Sequence, residues 1–133
     1  MPLFSFTGKR PNDLGVQNGR LKACPGSPNC VCSYDNDAEH GIAPIPFTGT
    51  PQEAIATIRQ IVENYPLTTI IEGNDNYLYA EFTTKLMGYV DDVEFYGDAE
   101  NSVIQVRSAS RLGQSDLGLN RKRVEEIRQK FTA

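Results

Sequence analysis

Hydrophobic residues become periodic only after residue 50. Thr50 suits a helix N-cap, Pro51 suits the first helical position, and Glu53 completes a capping box. Pro66 then ends the pattern, because proline cannot continue a helix. The sequence therefore predicts a helix over residues 51–65, with one apolar face made by Ala54, Ile55, Ile58, Ile61, Val62 and Tyr65.

A first β-hairpin follows, in which residues 67–72 and 77–84 flank the turn sequence Gly-Asn-Asp-Asn at 73–76. If Glu72 faces Tyr77, the alternation of side chains places one apolar set on a common face. That set is Leu67, Ile71, Leu78, Ala80 and Phe82.

A second hairpin is predicted around a four-residue loop at 98–101, with Gly97 opposite Ser102. This register places Val93 and Phe95 opposite Val106 and Ile104 on the apolar face. It also places Asp92 opposite Arg107 on the other face. A slip of one residue would move Ile104 and Val106 to the polar side, so the buried face favours the first pairing.

Residues 111–120 read as a loop, and Asn120 can cap a last helix that turns Val124, Ile127 and Phe131 inward. The predicted order is α-β-β-β-β-α. We therefore expect an α+β fold, a four-stranded antiparallel meander with two helices on one face, over residues 51–133. Residues 1–50 are rich in Gly, Pro, Asn and Asp, and predict an extended N-terminal arm packed on the domain. The whole chain is expected to form one domain.

Composition and charge argue against several classes of protein. The 133 residues carry a net charge of −4, which argues against a nucleic-acid binder. No apolar run reaches the roughly 20 residues of a transmembrane segment. The first residues lack the features of a signal peptide, so the expected location is cytoplasmic. Residues 51–101 hold ten acids and two bases, residues 102–133 hold seven bases and three acids, and the two parts are expected to pack together.

The segment 107–121 is the richest in groups that could hold a ligand. Arginine presents a planar fork to a carboxylate or phosphate, and glycines and a helix start allow the backbone to approach an anion. The alternative is a structural connection between strand and helix, with its arginines paired to nearby acids. The candidates for binding a small anion are Arg107, Ser108, Ser110, Arg111, Ser115, Asp116, Asn120 and Arg121.

Asp91 joins these candidates because its predicted register places it on the apolar face, opposite Ser108 and near Ser110. A carboxylate in that position must be hydrogen-bonded or have a raised pKa. The alternative is that the strand end frays and leaves Asp91 in water. If the first interpretation holds, Asp91, Ser108, Ser110, Arg111, Asp116 and Arg121 should converge on one concave site.

The three cysteines, Cys24, Cys30 and Cys32, do not match a common zinc module, and His40 is the only histidine. Neither a metal nor another cofactor is predicted. A disulfide between Cys24 and Cys30 is sterically plausible around the intervening turn, although it would persist only in an oxidising compartment. Reduced structural thiols are the alternative. In either case the two residues should lie within bridging distance.

Four stretches carry a resemblance to a known family. They are Leu14-Gly15 with Gly19-Arg20-Leu21, Cys24-Pro25-x-Ser27-Pro28-Asn29-Cys30-Val31, Asp91-Asp92-Val93-Glu94-Phe95, and Arg107-Ser108-Ala109-Ser110-Arg111-x-Gly113-x-Ser115-Asp116-x-Gly118-x-Asn120-Arg121. Over residues 14–131 the chain resembles the family catalogued as domain of unknown function 1499, found in bacteria, prominently cyanobacteria, and in plants. The resemblance implies no established activity or cofactor. Some plant members resemble thylakoid-lumen proteins, and other members carry export or membrane segments. The family pattern usually has Ser at position 32, which leaves Cys24 and Cys30 as the matched pair.

Three hypotheses for function follow. The leading one is a non-catalytic domain that binds a small anionic ligand or serves as an accessory domain, with a link to photosynthetic membranes implied by the resemblance alone. The second is an enzyme that acts on a small anionic substrate through Asp91, Ser108, Ser110 and Arg111. The third is a protein-interaction module whose arm meets a protein partner.

Overall fold

A computed structural model describes residues 6–113 and 116–133 of the chain. Its fold is α+β, with two helices and an antiparallel sheet. In chain order the elements are β1 (Cys30–Cys32), β2 (Ile45–Pro46), α1 (Pro51–Glu63), β3 (Thr68–Gly73), β4 (Tyr77–Thr83), β5 (Val90–Asp98), β6 (Val103–Ser110) and α2 (Leu119–Thr132).

Helix α1 begins as the sequence predicts. The Thr50 hydroxyl accepts a hydrogen bond from the Glu53 amide, and the Glu53 carboxylate accepts one from the Thr50 amide, which completes the capping box. Pro51 occupies the first turn. The apolar face then packs on the sheet through Ala54, Ile55, Ile58 and Val62, all buried.

Within the described residues the sheet has six strands, so the prediction of four is wrong. Its order is β1-β6-β5-β4-β3, and β2 also pairs with β6. The two additional strands come from residues 1–50, where only an extended arm was expected. They cover the outer edge of β6, whose amide and carbonyl groups would otherwise lack partners. Strands of three and two residues are too short to leave a periodic pattern in the sequence.

Both helices pack on one face of this sheet, and the main hydrophobic core lies between them and the strands. Val93, Phe95, Ile104 and Val106 are fully buried there. From α2, Val124 and Ile127 are buried and Phe131 is partly buried, as its spacing predicts.

The register of the β5–β6 hairpin differs from the predicted one by two positions. Asp98 pairs with Val103, so the loop covers residues 99–102 rather than 98–101. Asp92 therefore lies opposite Ala109, and Arg107 lies opposite Glu94. Moving a loop by one residue changes every pair but leaves each side chain on its face, so alternation could not separate the two registers. The Asp98 carboxylate decides it by accepting from the Asn101 amide and side chain at 3.2 and 2.8 Å.

The β3–β4 hairpin also departs from expectation, because a β-bulge interrupts the pairing between Ile70 and Glu72. Ile70 lies opposite Ala80 and packs on the main core. Ile71, which was expected there, turns to the other face and packs near Tyr77 and Tyr79. The bulge exchanges the two isoleucines without disturbing the core positions on β4.

The second face of the sheet is covered by residues 10–22, termed the N-terminal segment. Leu14 and Leu21 pack against Tyr77 and Tyr79, and Arg10 pairs with Glu81 at 2.6 Å. Tyrosines and charged groups therefore line this face, whereas the main hydrophobic core lies on the helical face. Among the described residues, no helix combines the length and apolarity that a membrane crossing requires.

Candidate functional site

A buried polar cluster lies on the helical face of the sheet, where β5 and β6 meet the start of α2. The Asp91 carboxylate accepts from Arg123 Nη2 at 2.7 Å, and both side chains are almost wholly buried. Arg123 Nη1 also donates to Asn120 Oδ1 at 2.8 Å and to Ser108 Oγ at 3.2 Å. The predicted alternative of a solvated Asp91 is wrong, since the residue is only 1% exposed.

Asn120 is the centre of this cluster and not the helix cap that was predicted. Its side-chain oxygen accepts from Ser108 Oγ at 2.6 Å, and its nitrogen donates to Ser110 Oγ at 2.9 Å. The residue before helix α2 is Gly118, which has a positive φ of 77°. Asp116 acts in place of a side-chain cap, because its carboxylate accepts from the amides of Gly118 and Asn120 at 2.9 and 3.0 Å.

The arrangement of Asp91 and the serines differs from the predicted pairing. Asp91 lies opposite Ser110, and Ser108 lies opposite Val93. All three nevertheless share the helical face. Because the cluster provides partners for its own buried groups, its first consequence is structural: it fixes α2 against the ends of β5 and β6.

Arg111 and Arg107 point to the opposite face, beneath the N-terminal segment. Arg111 forms a bidentate pair with Asp92 at 2.9 and 2.8 Å and reaches Glu81 at 2.5 Å. The hydrogen bonds to Asp92 raise the pKa of Arg111. Tyr79 also donates its hydroxyl to Asp92. Residues 107 and 111 alternate with 108 and 110 along the strand, which separates the arginines from the serines.

Glu94 and Arg107 form a second buried pair on that face, and sequence reasoning missed Glu94. Its Oε2 accepts from the Tyr77 hydroxyl at 2.6 Å and the Gly15 amide at 2.7 Å. Its Oε1 lies 3.9 Å from Arg107 Nη1. Within the described part of the chain, Glu94 Oε1 and Arg107 Nε are buried without a hydrogen-bond partner. Burial raises the pKa of Glu94.

Arg121 lies away from the Asp91 cluster and from the buried ion pairs on the opposite face. It donates to the carbonyls of Ala38 and Glu39 at 3.3 and 3.2 Å. Ser115 falls outside the described residues. The structure thus brings one part of the predicted site together and leaves Arg107, Arg111 and Arg121 elsewhere. The residues that meet are Asp91, Ser108, Ser110, Asp116 and Asn120.

Arg123 is the member of the cluster that sequence reasoning missed. A usable signal was present, because residues three positions apart on a helix face the same side. Asn120, Arg123, Val124 and Ile127 are the buried residues of α2. An arginine within that buried stripe requires an acidic partner, and Asp91 was already expected on the facing strand.

Cys24 and Cys30 form a disulfide, with their Cα atoms 5.8 Å apart. Cys32 is a free and fully buried thiol. His40 contacts Asp37 at 2.7 Å and the Ser27 carbonyl at 2.9 Å on a separate loop. No group of three potential metal-ligating side chains occurs in residues 6–113 and 116–133.

Two cavities flank the start of α2 and share Thr84 and Leu119. The larger, of about 300 Å³, is termed the α2 groove. Its lining combines apolar and cationic side chains, among them Tyr65, Leu67, Phe82, Leu119, Lys85 and Lys122. The smaller, of about 240 Å³, reaches Asp91, Ser110 and Asp116 beneath Tyr89, Leu112 and Leu117. The polar cluster thus lies between the protein interior and the smaller cavity, which opens to the surface.

Comparison with known proteins agrees with the motifs of the sequence. The family described as a protein of unknown function (DUF1499) matches residues 20–131. No curated protein and no solved structure was found to match the chain. The matched region runs from before β1 into the last turn of α2, and it includes the Asp91 cluster, the Glu94–Arg107 pair and the disulfide. The chain belongs to the DUF1499 family.

Proposed function

We propose that this protein binds, without catalysis, a small amphipathic anion in the α2 groove. The observation that carries the proposal is the combination of apolar walls with cationic side chains in one cavity of about 300 Å³. Small-molecule sites are mostly apolar and contain a few polar groups that fix orientation. Ligand cavities in proteins span roughly 300–1,000 Å³. The α2 groove is at the lower end of these volumes, so a short ligand fits best.

The apolar part of the ligand would lie against Phe82, Leu67 and Leu119. Phe82 is held in place by Tyr65, whose ring meets it edge to face at 5.4 Å, and by Arg123, whose guanidinium lies 4.9 Å from the ring centre. Leu119 is 37% exposed and closes the side towards the smaller cavity. A rigid aromatic floor with aliphatic sides favours an alkyl chain or a ring.

The anionic part of the ligand would meet Lys85 and Lys122. Neither lysine forms an ion pair within the described part of the chain, whereas Arg123 is committed to Asp91. Glu126, the acid that lines the groove, lies 3.4 Å from the Tyr65 hydroxyl. The described lining of the groove has three cations, Lys85, Lys122 and Arg123, and one acid, so its excess of positive charge on a chain of net charge −4 favours an anion.

This assignment differs from the sequence hypothesis in the residues that hold the anion. Arg111 and Arg121 are engaged by carboxylates and main-chain carbonyls on other surfaces. The polar cluster around Asp91 acts indirectly, by fixing Arg123 and the first turn of α2 beside the groove. The anionic class of ligand stays as the sequence suggested, and its cationic partners become the two lysines.

Calorimetric titration with decanoate tests the proposal. Decanoate should bind with a stoichiometry of about one, and decyltrimethylammonium, which has the same chain and the opposite charge, should bind much more weakly. Lys85→Gln with Lys122→Gln should weaken decanoate binding about tenfold at low salt, since each exposed charge contributes on the order of 1 kcal/mol or less.

Lys22→Gln is the matched control, because Lys22 is exposed and pairs with Asp13 on the N-terminal segment. It should leave decanoate binding unchanged. Leu119→Asp should abolish binding by placing a carboxylate on the groove wall. Equal binding of the two detergents, or equal binding by the double lysine variant and the wild type, would contradict the proposal.

A further inference from the structure

Large hydrophobic side chains are exposed mainly at one end of the molecule. Within residues 6–113 and 116–133, seven are exposed, and one of them, Val16, lies on the N-terminal segment. The other six belong to three segments near the start of α2, and we term them the apolar tip. They are Phe6, Leu86, Tyr89, Leu112, Leu117 and Leu119.

Direct contacts join the segments of the apolar tip into one surface. The Phe6 ring lies 5.7 Å from the Tyr89 ring, and the Phe6 amide donates to the Met87 carbonyl at 3.1 Å. Leu112 lies against Gly8, where an added Cβ would be 3.1 Å from Leu112 Cγ. Tyr89, Leu112, Leu117 and Leu119 all line the smaller cavity, so the surface is continuous around it.

Leu117 is unusual within this surface for two reasons. It is 96% exposed, and its φ of 54° lies in the left-handed region that a leucine rarely adopts. A large apolar side chain left in water is typical of a surface that contacts a partner.

We propose that the apolar tip inserts reversibly into the surface of a membrane that contains anionic lipids. This goes beyond ligand binding in the α2 groove and does not depend on it. Leucine, phenylalanine and tyrosine on projecting loops suit the boundary between lipid headgroups and acyl chains. Apolar side chains are removed from water there, while a tyrosine hydroxyl stays hydrated.

The charges at the tip specify the kind of membrane. Lys85 adjoins Leu86, and Lys122 lies one turn into α2 from Leu119. Asp91 pairs with Arg123, and the Asp116 carboxylate is turned towards the amides at the start of α2. Lys85 and Lys122 form no ion pair within the described part of the chain, so both lysines can meet a negatively charged surface at the tip. An anionic membrane would attract the tip and repel the remaining surface, which orients the protein.

Co-flotation with lipid vesicles tests the proposal. The full chain should bind vesicles of phosphatidylcholine mixed with phosphatidylglycerol, and should bind pure phosphatidylcholine more weakly. Leu86→Ser with Leu117→Ser should weaken binding to the mixed vesicles at least about tenfold, because two apolar side chains leave the membrane. Both residues are exposed, so thermal unfolding should stay close to that of the wild type.

Val16→Ser is the matched control, since Val16 is an exposed hydrophobic residue away from the tip, and it should bind as the wild type does. Lys85→Gln with Lys122→Gln should reduce binding to the mixed vesicles to the level seen with phosphatidylcholine alone. Failure of the mixed vesicles to bind the wild type, equal binding to both vesicle types, or normal binding by the Leu86/Leu117 variant would overturn the proposal.

Two further measurements separate the remaining interpretations. If sedimentation shows a dimer that the Leu86/Leu117 variant loses, and vesicles are not bound, the tip covers a second copy of the chain and the membrane proposal fails. Decanoate titration of the same variant distinguishes the two sites. Neither residue lines the α2 groove, so decanoate binding should persist whether or not vesicle binding is lost.

Discussion

At the scale of single residues, Glu94 is a fully buried carboxyl group whose hydrogen bonding is incomplete within the described structure. It lies in the middle of β5 with no exposed surface, and one carboxyl oxygen has no hydrogen-bond partner. Its neighbour Arg107 is 3.9 Å away, too far for a direct hydrogen bond. Burial therefore outweighs the attraction of the guanidinium, and the pKa of Glu94 is raised from 4.5.

The raised pKa of Glu94 predicts a pH-dependent loss of stability. The unfolded carboxyl group ionises near pH 4.5, whereas the folded one keeps its proton to higher pH. Rising pH therefore favours unfolding between these two pKa values, by about 1.4 kcal/mol for each pH unit, and the loss is complete above the folded pKa. Glu94→Gln should be more stable than the wild type above this window, and the difference should vanish below pH 4.5.

Chemical denaturation from acidic to neutral pH measures this difference, and Glu81→Gln provides a control of opposite sign. Burial of Glu81 is outweighed by hydrogen bonds from Arg10 and Arg111, which lower its pKa. The stability that Glu81 contributes is present above pH 4.5 and is lost as the pH falls through its folded pKa. Glu81→Gln should therefore be less stable than the wild type at neutral pH. Stability curves for Glu94→Gln that run parallel to the wild type would refute the prediction.

At the scale of elements, β1 depends on both a hydrogen-bonded edge and a covalent bond. It pairs with β6 through Cys30, Val31 and Cys32, and the Cys24–Cys30 disulfide ties its first residue to the preceding turn. The disulfide closes a short loop, with a sequence separation of six. It therefore limits the unfolded chain only locally.

Reduction of the disulfide should destabilise the protein by about 2 kcal/mol, the entropy expected for a loop of this length. Urea denaturation with and without a phosphine reductant measures the loss. Cys32→Ser is the control: Cys32 is a free thiol, so this variant should lose as much stability on reduction as the wild type does. A loss that disappears in Cys24→Ser and persists in Cys32→Ser assigns the effect to the disulfide. No loss in the wild type would count against it.

At the scale of the whole molecule, one sheet separates two unlike layers. The helices cover one face, which holds the main hydrophobic core and the Asp91 cluster, and the N-terminal segment covers the other, where tyrosines and charged groups meet. This second layer rests on a few contacts, among them Arg10 with Glu81 and the Gly15 amide with Glu94. The polar face should consequently be the more easily uncovered of the two.

A chain that starts at Arg20 should be less stable by roughly 2–4 kcal/mol, because Glu94 loses the hydrogen bond from the Gly15 amide and Tyr77 and Tyr79 lose the apolar cover of Leu14. Nitration by tetranitromethane followed by peptide mapping should then detect Tyr77 and Tyr79, which are about 5% exposed in the full chain. Tyr65 packs against Phe82 and Glu126 on the helical face and should react equally in both chains. Continued protection of Tyr77 and Tyr79 would mean that other residues cover this face.

Local chemistry along the chain determined much of the helical face. Thr50 and Glu53 fixed the start of α1, and alternation assigned Val93, Phe95, Ile104 and Val106 to the core face. Alternation also placed Asp91, Ser108 and Ser110 on that face, where they meet Asn120. These features depend on neighbours in sequence or on a period of two, so they can be read without knowing the tertiary structure.

Tertiary structure decided the features that depend on distant partners. The β5–β6 register followed from the Asp98 side chain and not from alternation, and a bulge exchanged Ile70 with Ile71. β1 and β2 are too short to have a period and form because β6 needs partners at its edge. Alternation placed Arg107 on the face away from the helices, whereas Arg111 was expected beside Asp91 and instead pairs with Asp92 on the other face. Only the packing of α2 and of the N-terminal segment decided which charges each face would meet.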